Sequence, residues 1–192
     1  MEINLSKKSV ILFAIAGAIV LVAAVVFFLP GGNDNATPTP VSIKTATPAQ
    51  IAETMARLFH TVDYQRPSAW LDAMQPYSTE TGVKIMRDVV APALWPEFTK
   101  LKTKSEAKQV KATWKKLLGS GYSESVKMDW EMHLVEVTLD PVVAATWPGK
   151  AATFTTNVVL NKTPDGWRFS SFLSDEAAKP FANAKPASTP SK

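Results

Sequence analysis

The chain has 192 residues, 46% of them hydrophobic, with 21 Lys/Arg against 17 Asp/Glu for a net charge of +4, no cysteine and two histidines. That length allows one core-forming domain plus accessory segments. Without cysteine, and with His60 and His133 far apart, a disulfide scaffold and a His/Cys zinc site of the usual pair spacing are excluded.

The first element is an apolar run. Val10 to Leu29 are twenty consecutive residues without a charge or a strong hydrogen-bonding side chain, which at about 1.5 Å per residue covers roughly the 30 Å hydrocarbon thickness of a bilayer. A cleaved secretory signal has a shorter apolar region and small residues at its end, whereas this run ends in Phe27, Phe28 and Leu29. A retained transmembrane helix is expected at 10–29. Lys7 and Lys8 precede it and no basic residue directly follows, so the rule of positive flanks keeps residues 1–9 in the cytoplasm. The remainder is then extracytoplasmic, on a single-pass protein of the cell membrane. Residues 30–46 read as a Pro/Thr-rich linker and 176–192 as a disordered tail, since neither offers enough apolar surface to offset ordering entropy. Residues 47–175 form the expected domain.

That domain opens with Thr47-Pro48-Ala49-Gln50, a capping hydroxyl, a proline at the first helical position and a glutamine at the third. Ile51, Met55, Leu58, Phe59 and Val62 follow at helical spacing, predicting a helix to about Asp63. A short helix is expected over Ser68 to Met74, with Ser68 as cap. Another is expected after Ser78, with Val83, Met86 and Val90 on its apolar side and Pro92 and Pro96 ending or kinking it. Beyond Ser105 the period changes. Val110, Ala112 and Trp114 alternate with polar residues as in a strand, although Val110, Trp114, Leu117 and Leu118 also fit a helix. "GSGYS" (119–123) lacks the Gly-Lys-Ser/Thr ending of a phosphate cradle and reads as a connection between strands. Val126, Met128, Trp130, Met132 and Leu134 alternate with Lys127, Asp129, Glu131 and His133, predicting a strand with His133 on its wet face. The apolar set then slips to Val135, Val137 and Leu139, predicting a bulge. Phe154, Thr156, Val158 and Leu160 form a third strand, and "KTPDGWRF" a turn and a closing strand with Trp167 and Phe169 inward. Helices followed by a bent meander make an α+β domain, with helices packed on a curved antiparallel sheet.

This order, with "DYQRPSAWLDAMQPYST" marking the short helices and "DGWRF" the last strand, resembles the nuclear-transport-factor-2-like cone fold. Joined to one N-terminal span and a spacer, it is similar to the bitopic scaffold component of type IV secretion and conjugation channels, the eighth member of the VirB set and its TcpC-like relatives. The Mce-associated membrane proteins share the same plan. The pattern of Trp70, Leu71, Met74, Pro76, Tyr77, Ser78 and Thr79 favours the conjugation group. The resemblance implies a non-catalytic scaffold that forms homo-oligomers and contacts other membrane or channel subunits, and no site residue carries over from it.

The residues themselves point to no reaction centre, and neither a cofactor nor a metal is expected. His60 reads as a helix-end residue, where a cation is mildly favourable. An isomerase-like or lipid-binding cone would need a polar group at the base of an apolar pocket, for which Asp72 and Tyr77 are the candidates, with Asp63 and Tyr64 behind them. Charge is uneven: Glu97 to Leu118 holds Lys100, Lys102, Lys104, Lys108, Lys111, Lys115 and Lys116 against Glu97 and Glu106. Such a segment can orient the domain against an acidic partner or an anionic envelope polymer, or simply keep a strand edge soluble. Without interleaved aromatics or arginines it is a poor nucleic-acid surface.

Overall fold

The computed structural model describes residues 41–123, 126–140 and 152–183. The span expected at 10–29 lies outside them, and among the described residues no helix is long and apolar enough to cross a membrane.

Helix α1, Pro48–His60, begins as its first four residues dictate. The Thr47 hydroxyl accepts from the Gln50 N–H at 3.3 Å while the Gln50 side chain accepts from the Thr47 N–H at 2.9 Å, a reciprocal cap with proline in the first turn. Ile51, Ala52, Met55 and Ala56 are buried on its apolar face. Thr47→Ala removes one capping bond, and an increase of about 1 kcal/mol in the ease of unfolding is expected in a denaturant titration.

After the two-residue strand β1, Val62–Asp63, come α2, Pro67–Met74, and a tight turn at Gln75–Tyr77. Ser68 does not cap α2; the cap position is Arg66, without a side-chain bond, and Pro67 sets the first turn. Helix α3, Glu80–Ile85, is capped by Thr79, whose hydroxyl accepts from Gly82 N–H at 3.0 Å. Pro92 and Pro96 do not end the helical run. A wide turn at Met86–Val90, closed by the Ala91 N–H to the Met86 carbonyl, precedes them, and α4 continues over Ala91–Leu101. Because Pro92 offers no N–H, a turn of i to i−5 bonds just before it lets the chain carry on. Lys102, left-handed at φ 51°, closes α4 and leads into β2, Lys104–Ser105, which pairs antiparallel with β1.

Four antiparallel strands follow in simple order: β3 Ala107–Ser123, β4 Val126–Leu139, β5 Thr153–Thr163 and β6 Gly166–Leu173. The strand reading of Val110 to Lys116 holds. Gly119 to Ser123 are part of β3, paired with Trp130 to Val126, so they are not a connection. The register slips lie in β3, at Ala107/Gln109, Ala112/Trp114 and Leu117/Gly119, while β4 keeps an unbroken register against β5. The irregularity expected at Leu134-Val135 is therefore found on the partner strand, where the Ala112/Trp114 slip lies opposite Val135 and Leu134, and not in β4 itself. The apolar set changes parity there because the two sets serve different faces. Val135, Val137 and Leu139 join the α1 side of the sheet in one core with Trp70, Phe98 and Phe169. Met132, with Val159, is buried on the other side against Ala178.

Ala178 belongs to a fifth helix, α5, Asp175–Asn183, formed from Glu176 onward by residues read from the sequence as tail. The Ser174 hydroxyl accepts from Ala177 N–H at 3.2 Å, and the Asn157 amide donates to Asp175 at 2.9 Å. These two bonds fix the start of the helix where Ala178 can cover Met132.

Both sheet edges are engaged. On β3, Glu53 of α1 accepts from the Ala112 N–H at 2.8 Å and Arg57 donates to the Ala107 carbonyl at 2.8 Å. On β6, the Phe169 carbonyl accepts from the Thr79 N–H at 2.7 Å. A Cβ on Gly82 would sit 2.8 Å from that same carbonyl oxygen and 3.1 Å from that of Ser170. Alanine within a helix ordinarily gains about 1 kcal/mol over glycine, but here the obstacle is backbone and cannot rotate away. Gly82→Ala is expected to lower stability by about 1–3 kcal/mol, read as a lower thermal midpoint.

Candidate functional site

Two buried histidines stand apart from each other in the interior. His60 closes α1 and is 1% exposed, its Nδ1 donating to the Ala56 carbonyl at 2.7 Å, with the rings of Phe59 and Phe154 at 4.9 and 4.7 Å. Burial outweighs the hydrogen bond and lowers its pKa from 6.5 to about 4, so it is a neutral core residue, not a helix-end cation. His133 is also 1% exposed, contrary to the wet face expected for it. It shares the α1 side of β4 with Val135 and Val137, and its Nε2 meets Glu131 at 3.0 Å. An alternating strand whose two faces are both covered does not reveal from residue type which parity faces the larger core.

Asp72 is exposed on α2 and does not point into the interior. Tyr77 is half-buried against the main core, as is Tyr64. Trp70, which the sequence does not mark as functional, forms the hub between the helices. Its Nε1 donates to the Phe59 carbonyl at 2.9 Å, and its ring lies 5.4 Å from Trp95, whose own Nε1 donates to the Tyr64 carbonyl at 3.1 Å.

The seven lysines are divided among the end of α4, β2 and β3. Lys100 pairs with Glu97 at 3.5 Å, Lys104 with Asp63 at 3.8 Å, and Lys108 with Glu106 at 3.0 Å and Asp140 at 3.8 Å. The bond to Glu106 also raises the Lys108 pKa above its ordinary value. On β3, Lys111 lies opposite Glu136, Lys115 opposite His133 and Lys116 opposite Met132. Lys102 sits exposed at the left-handed residue after α4. Exposed pairs of this kind add little stability, but they neutralise much of the positive field the sequence suggests.

A concavity of ligand size opens between α1, α2 and the β1–β2 pair. It measures about 490 Å³, with Leu58, Val62 and Trp70 at its floor, Ala69 and Ala73 along its α2 wall, and Asp63, Arg66, Lys104 and Glu106 at its rim. Thr61 and Ser105 complete it, the Ser105 hydroxyl donating to the His60 carbonyl at 2.6 Å. Its size falls within the range of binding pockets. It contains no histidine and no carboxylate pair set for proton transfer, and among the described residues no group of three or more His, Cys, Asp or Glu side chains is placed to hold a metal ion. A void of about 10 Å³ beside Met74 and Met86 has room for a water at most.

No protein-family model matches this chain, and no curated protein matches it. A solved structure, a periplasmic fragment of TraM, aligns with this chain at 10% identity and a TM-score of 0.42, over 64% of this chain and 90% of that one. At that identity and score, no residue role or activity passes from one to the other.

Proposed function

We propose that the chain is a membrane-anchored, extracytoplasmic contact domain of a conjugation- or type IV secretion-like assembly, working through its surface and not through a reaction centre. The observation that carries this reading is the groove between α1, α2 and β1–β2: an apolar floor of pocket size in which Asp63 and Lys104 pair with each other, Glu106 with Lys108 and Ser105 with the His60 carbonyl, instead of converging on a reacting atom. The two sheet edges favour the same reading from the other side. With β3 held by Glu53 and Arg57 and β6 by Thr79, extension of the sheet by another strand is blocked where those bonds lie. The anchor rests on the composition of residues 10–29, and the arrangement of helices on one sheet is compatible with a cone. Dispersal and pairing of the lysines favour protein contacts over retention on an anionic envelope polymer.

The test is recovery of the full-length tagged chain from its own membranes after brief chemical cross-linking. Co-recovery of further copies and of other membrane subunits is the expected result. Recovery of the chain alone, or with lipid and no protein neighbour, counts against the proposal.

A further inference from the structure

We infer that the groove between α1, α2 and β1–β2 receives a short extended segment of a partner protein, one in which an apolar side chain is followed directly by a carboxylate. This rests on the contact-domain reading and specifies where the contact is made and by what chemistry. The floor supplies the apolar half: Leu58 and Val62 flank Trp70, which is 4% exposed and held in place by its bond to Phe59, so the surface is formed before any partner arrives. Ala69 and Ala73, one turn apart on α2 and both exposed, let a backbone approach the helix closely.

The rim supplies the carboxylate's counter-charge. Of its four charged residues, Asp63 and Lys104 pair at 3.8 Å, and Glu106 is bound by Lys108 at 3.0 Å. Arg66 is left exposed, with no ion pair among the described residues. Its backbone is pinned: its N–H donates to the Asp63 carbonyl at 2.9 Å and its carbonyl accepts from the Trp70 N–H at 3.2 Å, fixing where the guanidinium starts. A planar fork of donors, extending from that pinned backbone at the edge of an apolar floor, matches a carboxylate two-pronged. The groove is partly open to solvent, so an alkyl chain lying in it would stay partly wet. Asp63 and Glu106 at the same rim also repel a phosphate headgroup more strongly than a single carboxylate. A peptide with one apolar side chain and one carboxylate satisfies the floor and the rim together.

The test uses the full chain in nanodiscs and calorimetric titration with the acetylated tetrapeptide Gly-Ser-Leu-Phe carrying a free C-terminal carboxylate, its amide, and laurate. Saturable binding of the acid, weakened tenfold or more by amidation and equally by Arg66→Gln, and lost in Ala73→Gln, is expected. Both substituted residues are exposed, and unchanged thermal midpoints will show that the variants fold. Equal binding of the acid and the amide, indifference to Arg66→Gln, or displacement of the peptide by laurate overturns the inference. In cells, Ala73→Gln should lose cross-linked neighbours that the natural chain recovers. If the variant keeps those neighbours, the groove is not the contact, while the contact-domain reading stands. If the natural chain itself recovers none, that reading fails whatever the titration shows. A groove adduct at twice the mass of the chain assigns the site to a second copy and overturns a separate partner.

Discussion

Acidification from pH 6.5 to about 4 is expected to remove roughly 3 kcal/mol of folding stability through His60 alone. In the unfolded chain this imidazole takes a proton near its ordinary pKa of 6.5, while in the folded chain burial delays protonation until about pH 4. Between these values the unfolded state binds more protons, so stability rises with pH. The contribution is complete above 6.5, is lost progressively as the pH falls, and declines no further below about 4. The cause is local. The ring has Phe59 on one side and Phe154 on another, with Phe172 at 6.5 Å, and its Nδ1 proton is already committed to Ala56. Urea titrations across this range should show the slope in the natural chain and a much flatter one in His60→Leu, which cannot titrate. Comparing the two removes the contribution of carboxylates common to both. Parallel curves for the two proteins would show that His60 accepts its proton without unfolding cost.

Trp70→Ala carries the other large effect, a loss of about 3–5 kcal/mol. Trp70 joins three elements: its ring lies 5.3 Å from Phe59 on α1 and 5.4 Å from Trp95 on α4, its indole N–H bonds the Phe59 carbonyl, and it is itself on α2. Truncation leaves a cavity between helices that cannot close without moving α2, and it deletes a donor from a half-buried carbonyl. Against the 5–15 kcal/mol typical of a folded domain, that is a large share. Trp70→Phe should cost less, because the ring contacts largely survive and only the hydrogen bond and part of the volume are lost. Equal losses for the two variants in a thermal melt would show that the hydrogen bond, which both lack, and not the packing makes Trp70 central.

The parts of this fold that were legible in the sequence are those with a local cause. Thr47 to Gln50 carry their own cap, and the turn before Gly166 its own closing bond, from the Thr163 hydroxyl to the Gly166 carbonyl at 2.8 Å. The third strand and the inward Trp167 and Phe169 follow from simple alternation. What misled has a common origin in contacts distant along the chain. His133 looks solvent-facing until a partner at Glu131 and a core on that side are known. Asp175 to Asn183 look too polar to order, yet one small residue, Ala178, suffices to cover Met132 once Asn157 holds the helix start. Gly119 and Gly121 suggest a loop, but in a long hairpin they simply pair with Trp130 and Met128. The groove was legible only in fragments. Asp63 was named only behind Asp72 and Tyr77 as a polar group for a pocket, whereas Arg66 and Trp70 become parts of one site only when β1 and β2 bring Val62 beside Ser105.

Site-specific photocross-linking in intact cells tests the central claim most directly. A photoreactive side chain at Ala69, on the groove wall, is compared with one at Lys111, exposed on β3. Covalent adducts with a distinct extracytoplasmic polypeptide at Ala69, and few or none at Lys111, are the predicted result. Polypeptide adducts confined to Lys111, or only lipid and small molecules captured at Ala69, would contradict it.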